Sequence, residues 1–224
     1  MNYDSFEAVY SKYFSFWSAL SPVDRHFLCY HSTSVNYKKG VNIHDGDECT
    51  GVLIVKTGCL RLYIRSDEGR EITLYRLFQG DMCMLSASCV LQSITFDVFV
   101  DAEEDSQCYL ISGSAFAALS EREPAVKIFA LEVAVSRFSD VMWVMQQILF
   151  MSFDRRLAIF LLDEISNTGS DTLKLTHEQI AKYMGSAREV VSRMLKYFSA
   201  EGITEVSRGG IKILDRKKLR ELTL

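Results

Sequence analysis

Residues 176–198 read THEQIAKYMGSAREVVSRMLKYF, and at helical spacing they make two helices with a sharp turn between them. Thr176 stands at the cap of the first helix, with Gln179 three residues on. Ser186 stands at the start of the second, with Glu189 three residues on. Both fit the capping box, in which a side-chain oxygen takes an orphan backbone N–H and the third residue returns the bond. Gly185, between Met184 and Ser186, supplies the left-handed backbone that a tight turn needs. Ile180, Ala181 and Met184 make the apolar side of the first helix. Val191, Met194, Leu195 and Phe198 follow the apolar stripe of the second. Its opposite side shows Arg188, Glu189, Ser192 and Arg193. Two such helices, crossing closely at the small Ala181, predict a helix-turn-helix.

The outward face carries the chemistry of a major groove. An Arg fork matches guanine O6 and N7, a Glu accepts from cytosine N4, and a Ser serves either base. Arg193 is the residue expected on a guanine, and Glu189 on the partner strand's cytosine. Thr176 and Ser186, at the two helix starts, complete the expected DNA-facing set. Downstream, Gly202-Ile203 and Val206 lead into Ser207-Arg208-Gly209-Gly210 and then Ile211-Lys212-Ile213-Leu214. A Gly-Gly pair between two alternating apolar runs signals a hairpin. It reads as a wing with Arg208 near its tip for a phosphate.

With these residues in place, the run I-A-x-x-x-G-x-x-R-E-x-V-S-R-x-L from Ile180 to Leu195 resembles the helix-turn-helix of Crp/Fnr bacterial transcription regulators. The resemblance implies a homodimer on an inverted-repeat operator of double-stranded DNA. It also implies RNA polymerase as a partner, and an effector or redox signal acting on an N-terminal sensor.

Bulk properties agree with that class. The chain has 224 residues, 48% hydrophobic and 24% charged, which fits a globular protein of two domains. The net charge of −4 looks wrong for a DNA binder until it is divided. Ser152–Leu224 holds 13 Lys and Arg against 10 Asp and Glu, whereas the rest of the chain holds 12 against 19. The cations gather where phosphate is to be met. The most apolar run, Val141–Met151, contains Gln146 and Gln147 and falls well short of the roughly twenty residues that span a bilayer. No basic signal region opens the sequence, so a cytoplasmic protein without membrane contact is expected.

From about Ser34 the apolar period drops to two. Val52–Val55, Leu60–Ile64, Ile72–Leu77, Thr95–Val100 and Cys108–Ile111 alternate with turns built on Gly40, Gly46, Gly58, Gly69 and Gly80. The glycine spacing over Val35–Ser112 resembles the cyclic-nucleotide-binding β-roll of the same family. Glu123-Pro124 then opens a helix running to about Phe150. Leu131, Ala134, Phe138, Val141, Met145 and Ile148 recur along it at steps of three and four, a heptad seam. The family uses this helix as its dimer interface. The expected fold is therefore α+β: a β-roll sensor over 1–123, a long dimerisation helix over 124–151 and a winged helix-turn-helix over 152–224.

The effector is left open by the sequence. Cyclic-nucleotide-binding members clamp the phosphate with a Glu and an Arg after a Gly-rich turn. Here Leu85 and Thr95 fall at about those places, and no Lys or Arg occurs between Leu77 and Glu121. A buried anion would lack its counter-charge, so cyclic AMP is not expected. The stretch from Leu85 to Asp105 is similar to Firmicutes members of the family. Six cysteines, at 29, 49, 59, 83, 89 and 108, form no C-x-x-C pair, which argues against an iron–sulfur cluster. Three effector readings remain: a small, mostly apolar or uncharged ligand held in the roll beside the long helix, a thiol switch through Cys83 and Cys89, and haem ligated by His44 or a cysteine. The competing class is a cupin-like metal-dependent enzyme fused to a DNA-binding module. It would need a His/carboxylate cluster, and the four His residues form no H-x-H pair. No catalytic or metal-binding residue is expected.

Overall fold

The structure, a computed structural model, describes residues 3–46, 49–84 and 97–224. Leu85, Cys89 and Thr95 lie outside the described residues. The chain divides into two compact units: Met1–Arg65 with Leu74–Val141, and Ser66–Thr73 with Met142–Leu224.

In the first unit the strands form two antiparallel sheets. One has the order β1 (Ser32–Tyr37), β8 (Ser106–Ile111), β3 (Val52–Thr57), β6 (Met82–Cys83). The other runs β2 (Asn42–His44), β7 (Phe99–Ala102), β4 (Leu60–Arg65), β5 (Glu71–Leu77). Strand β3 shows why both its faces are apolar. Leu53 and Val55 join Leu60, Leu62, Val100 and Cys108 in one core, while Val52 and Ile54 join a second core with the helices. Those helices are α1 (Tyr3–Tyr13), α2 (Pro22–Tyr30), α3 (Gly113–Arg122) and the start of α4 (Pro124–Phe150). Phe6, Tyr10, Phe14, Phe16 and Trp17 pack there as an aromatic layer. The buried Tyr10 hydroxyl donates to Ser32 Oγ at 2.6 Å, and Ser32 Oγ donates to Leu28 O at 2.6 Å, so no polar group in that chain is stranded. The strand expected from Thr95 is described as Phe99–Ala102. Pairing runs on to Ala102 because Val100 and Ala102 both point into the core.

Helix α4 runs as the sequence predicts, from the residue after Glu123 to Phe150. Its 27 residues span about 40 Å at 1.5 Å each. Val126 and Ala130 are buried. The row Ile128, Leu131, Val135, Phe138, Met142, Met145 and Leu149 is exposed instead. Ala134 and Val141, expected on the seam, sit beside this row and are half-buried, while Ile148 is exposed.

The second unit is built from α5 (Phe153–Thr168), β9 (Thr172–Leu173), α6 (His177–Met184), α7 (Arg188–Ala200), β10 (Thr204–Ser207), β11 (Gly210–Ile213) and α8 (Arg216–Glu221). Its sheet has the order β10-β11-β9. Leu157, Leu161, Ile180, Val191, Leu195, Phe198, Ile211 and Leu219 form one core, so the helices and the wing fold as a single body. Residues 66–73 pack with this unit.

Candidate nucleic-acid interface

Helix α6 begins on the capping box that the sequence predicts. Gln179 N–H donates to Thr176 Oγ1 at 3.1 Å, and Thr176 N–H donates to Gln179 Oε1 at 2.9 Å. The helix ends at Gly185, whose φ of +59° is the left-handed cap. Ser186 N–H then donates back to Ala181 O at 2.9 Å. That bond corrects the expectation for Ser186, which remains tied to the end of α6. The cap position of α7 falls on Ala187, which makes no side-chain cap bond. Helix α7 therefore starts at Arg188 with its first N–H groups without a side-chain cap, and with Glu189 in its first turn against the positive end of the dipole.

The two sides of α7 differ sharply. Val191, Leu195 and Phe198 are fully buried, and this fixes the rotation of the helix. The other side leaves Arg188, Glu189, Arg193 and Lys196 exposed. Ser192 is half-buried, and its hydroxyl is 2.7 Å from His177 Nδ1 on α6. Beside them the wing closes with Ser207 opposite Gly210, which leaves Arg208 and Gly209 as a two-residue loop. Arg208 is exposed at that tip, and Gly209 N–H donates to Ser207 Oγ at 3.2 Å. Between α7 and the wing lies a cleft of about 480 Å3, lined by His177, Ser192, Lys196, Ser199 and Glu205 among others.

Thus Arg188, Glu189, Ser192 and Arg193 stand on the first turn and a half of one helix. Thr176 caps the start of α6, Ser186 lies in the turn between α6 and α7, and Arg208 stands at the tip of the wing. Reading the sequence missed two neighbours. His177 orients Ser192, a contact 15 residues apart that only the crossing of α6 and α7 produces. Lys196, one turn beyond Ser192, extends the cation row and was legible from its spacing alone.

Among the described residues of the first unit the cysteines separate into two groups. Cys29, Cys59, Cys83 and Cys108 are buried thiols outside any disulfide. Burial pushes the Cys29 thiol up to about 11 and the Cys108 thiol up to about 12. Burial and the neighbouring Glu103 raise that of Cys59 further. Cys49 is instead disulfide-bonded. It lines a cleft of about 410 Å3 together with His31, Thr33, Thr50, Ser112 and Ser114. His44, considered above as a haem ligand, is buried with Nδ1 2.9 Å from Thr50 Oγ1.

Two family comparisons match this layout. Residues 155–222 match the Crp-like helix-turn-helix domain, and residues 35–123 match the cyclic nucleotide-binding domain. The crystal structure of a Crp/Fnr-family protein from Eubacterium rectale is similar with a TM-score of 0.91. It is 47% identical, over 95% of this chain and 99% of that one. The cAMP-activated global transcriptional regulator Vfr of Pseudomonas aeruginosa is 24% identical over 178 residues, 75% of this chain and 82% of Vfr. The cyclic AMP receptor protein of Thermus thermophilus is 24% identical over 187 residues, 83% of this chain and 86% of that protein.

Proposed function

Because the chain belongs to the Crp/Fnr family of bacterial transcription regulators, with a helix-turn-helix DNA-binding domain and a cyclic-nucleotide-binding-type domain, we propose that it works as a homodimer on an inverted-repeat operator. Two copies pair along the exposed apolar row of α4, and each presents its α7 to one major groove. The two grooves lie one helical turn or a multiple of it apart, as two-fold symmetry requires. In this reading residues 1–123 sense, 124–151 pair and 152–224 read DNA.

The observation that carries it is α7 itself. Val191, Leu195 and Phe198 are buried on one side, and the other side offers Arg188, Glu189 and Arg193 with Ser192 beside them, while Arg208 is exposed at the wing tip. Arg193 forks onto guanine and Glu189 meets the cytosine opposite, while Thr176, Ser186 and Arg208 hold phosphates. No helix among the described residues is long and apolar enough to cross a membrane. We place the protein in the cytoplasm, where the operator and RNA polymerase are. The regulators named above give no support to a cupin-like enzyme.

For the signal, a thiol reading fits Cys49 better than Cys83. Cys49 is already disulfide-bonded on the edge of a cleft, whereas Cys83 is a fully buried thiol on β6. Selection of duplexes from a random pool, with dithiothreitol present and absent, tests operator and signal together. Enrichment of an inverted repeat with a G·C pair at the Arg193 position of each half supports the reading. Recovery of no preferred sequence in either condition refutes it.

A further inference from the structure

We propose that residues 66–73 are an autoinhibitory clasp on the helix-turn-helix, which must let go before α7 enters a groove. The proposal rests on the DNA-reading role of α7 argued above.

The clasp grips the turn at several points. The Arg70 guanidinium donates to Gly185 O, the carbonyl of the turn glycine. Thr73 Oγ1 donates to Lys182 O at 3.3 Å, and Lys182 Nζ lies 3.8 Å from Glu71 Oε2. Ile72 packs so close that a Cβ on Gly185 would stand 2.8 Å from its Cγ1. Backbone, charge and apolar contacts thus converge on the residues that join α6 to α7.

The grip falls on the surface that DNA would need. A cleft of about 470 Å3 is lined by Gly69, Arg70 and Glu71 on one side. Arg188 and Glu189, the first residues of α7, line it on the other. Helix N-terminal residues are the ones that approach base edges, and the flanking phosphates run past the same end. The clasp also has the wrong charge for such a neighbour. Asp67, Glu68 and Glu71 outnumber its one cation, Arg70, and Asp67 and Glu68 are exposed. Phosphate approaching this end of α7 meets bulk and like charge together.

The clasp is also built to open. Arg70 remains exposed, so its bond competes with water. A second cation works against it at the same helix end. Arg156 Nη1 donates to Met184 O at 3.4 Å, and burial, with the positive charge of Arg70 nearby, holds the Arg156 guanidinium below its ordinary range. Residues 66–70 link β4 to β5, and residues 71–73 are the start of β5, the neighbour of β4 in the sensor sheet. A rearrangement of those strands draws on the clasp through the chain itself. By linkage, whatever releases the clasp strengthens DNA binding, and DNA strengthens the binding of the releasing signal by the same factor.

The test is the double substitution Arg70→Ala and Glu71→Ala in the full chain. It removes one charge of each sign, so the net charge and its long-range attraction to DNA are unchanged. Fluorescence anisotropy on the selected operator, without added effector, is expected to show roughly ten-fold tighter binding than the unsubstituted protein, within the usual range of site-to-site coupling. Hydrogen exchange is expected to show faster exchange of the amides at Gly185–Arg188 in the variant without DNA. Equal or weaker operator binding by the variant overturns the clasp and leaves the DNA-reading role standing. Unchanged exchange at Gly185–Arg188 overturns it as well, whatever the affinity. If neither protein binds any duplex, the DNA-reading role fails and the clasp fails with it.

Discussion

Replacing Phe138 tests the pairing of two chains most directly. Phe138 is 63% exposed in the middle of the apolar row on α4, with Val135 and Met142 one turn to either side. A phenylalanine of about 200 Å2 at that exposure leaves roughly 130 Å2 for a partner to cover. Covered on both chains, at about 25 cal/mol per Å2, this amounts to roughly 6 kcal/mol of gross stabilisation of the pair. Phe138→Ala keeps the Cβ and part of the contact. Its expected cost is about 4 kcal/mol per dimer, or about a thousand-fold in Kd. Phe138→Asp with Met145→Asp adds two charges per chain at the seam and is expected to give monomer throughout the micromolar range. Sedimentation velocity across a dilution series reads all three proteins. Because Phe138 is exposed, thermal unfolding of the units should barely move, which separates lost pairing from lost folding. Operator titrations should show the double variant reduced to half-site affinity. A wild-type chain that is monomeric at micromolar concentration and still binds the inverted repeat tightly would refute the role given to α4. So would an Asp variant that remains dimeric.

Arg193→Ala is expected to cost about 1–3 kcal/mol per half-site and to flatten preference at one base pair, measured on single-base operator variants. Arg208→Ala should weaken every sequence alike and lower the salt slope by about one; a uniform loss from Arg193→Ala instead would place that residue on phosphate. Thr176→Ala removes the bond from Gln179 N–H to Thr176 Oγ1, leaves the backbone bond to Gln179 Oε1, and should destabilise the DNA-binding unit by about 1 kcal/mol in urea titrations. For the thiols the sign is fixed by direction: Cys29 and Cys108 have folded values of about 11 and about 12, above the ordinary 9.0. Their contribution to stability is complete below pH 9 and is lost as pH rises through those folded values, so urea midpoints should fall between pH 9 and pH 12 and fall less in Cys108→Ala. Cys49 should resist alkylation until a dithiol reductant opens its disulfide, and operator binding by Cys49→Ser should no longer respond to peroxide.

What could be read from the sequence was local. The box at Thr176 and Gln179, the left-handed Gly185 and the stripe Val191, Leu195, Phe198 each depend on residues within two turns of one another. Their geometry follows from side-chain reach and backbone sterics. Ser186 shows where that reasoning failed. Its spacing to Glu189 copies a capping box, but its N–H was already committed to Ala181 O in closing α6. Two motifs competed for one residue, and the tighter turn won, which moved the start of α7 to Arg188. The contacts of Arg70, Glu71 and Thr73 with α6 and its turn could not be read from local pattern. They join residues more than a hundred positions apart, and in the sequence that stretch is only a charged turn.

The exposed apolar row of α4 was half legible, and the reason is geometric. This helix is apolar on almost every side from Ile128 to Phe150, so several rows at steps of three and four satisfy a heptad equally well. The row chosen by spacing shares Leu131, Phe138 and Met145 with the exposed row, but pairs them with Ala134 and Val141 instead of Val135 and Met142. What decides between the rows is the other side of the helix. Val126 and Ala130 are buried in the aromatic core, with Phe129 and Val133 packed against it. At 100° per residue, Ile128 and Val135 then point away from that core, as do Phe138 and Met142 beyond them. The rotation of α4 is thus set by the aromatic layer of α1 and the 3-10 turn at Trp17–Ala19, more than a hundred residues earlier in the chain. Enlarging Ala130 should therefore disturb packing around Phe14 and Phe16 first, and pairing only through the resulting turn of the helix. Substituting Ala134, beside the exposed row and off the buried one, should change pairing far less than substituting Val135.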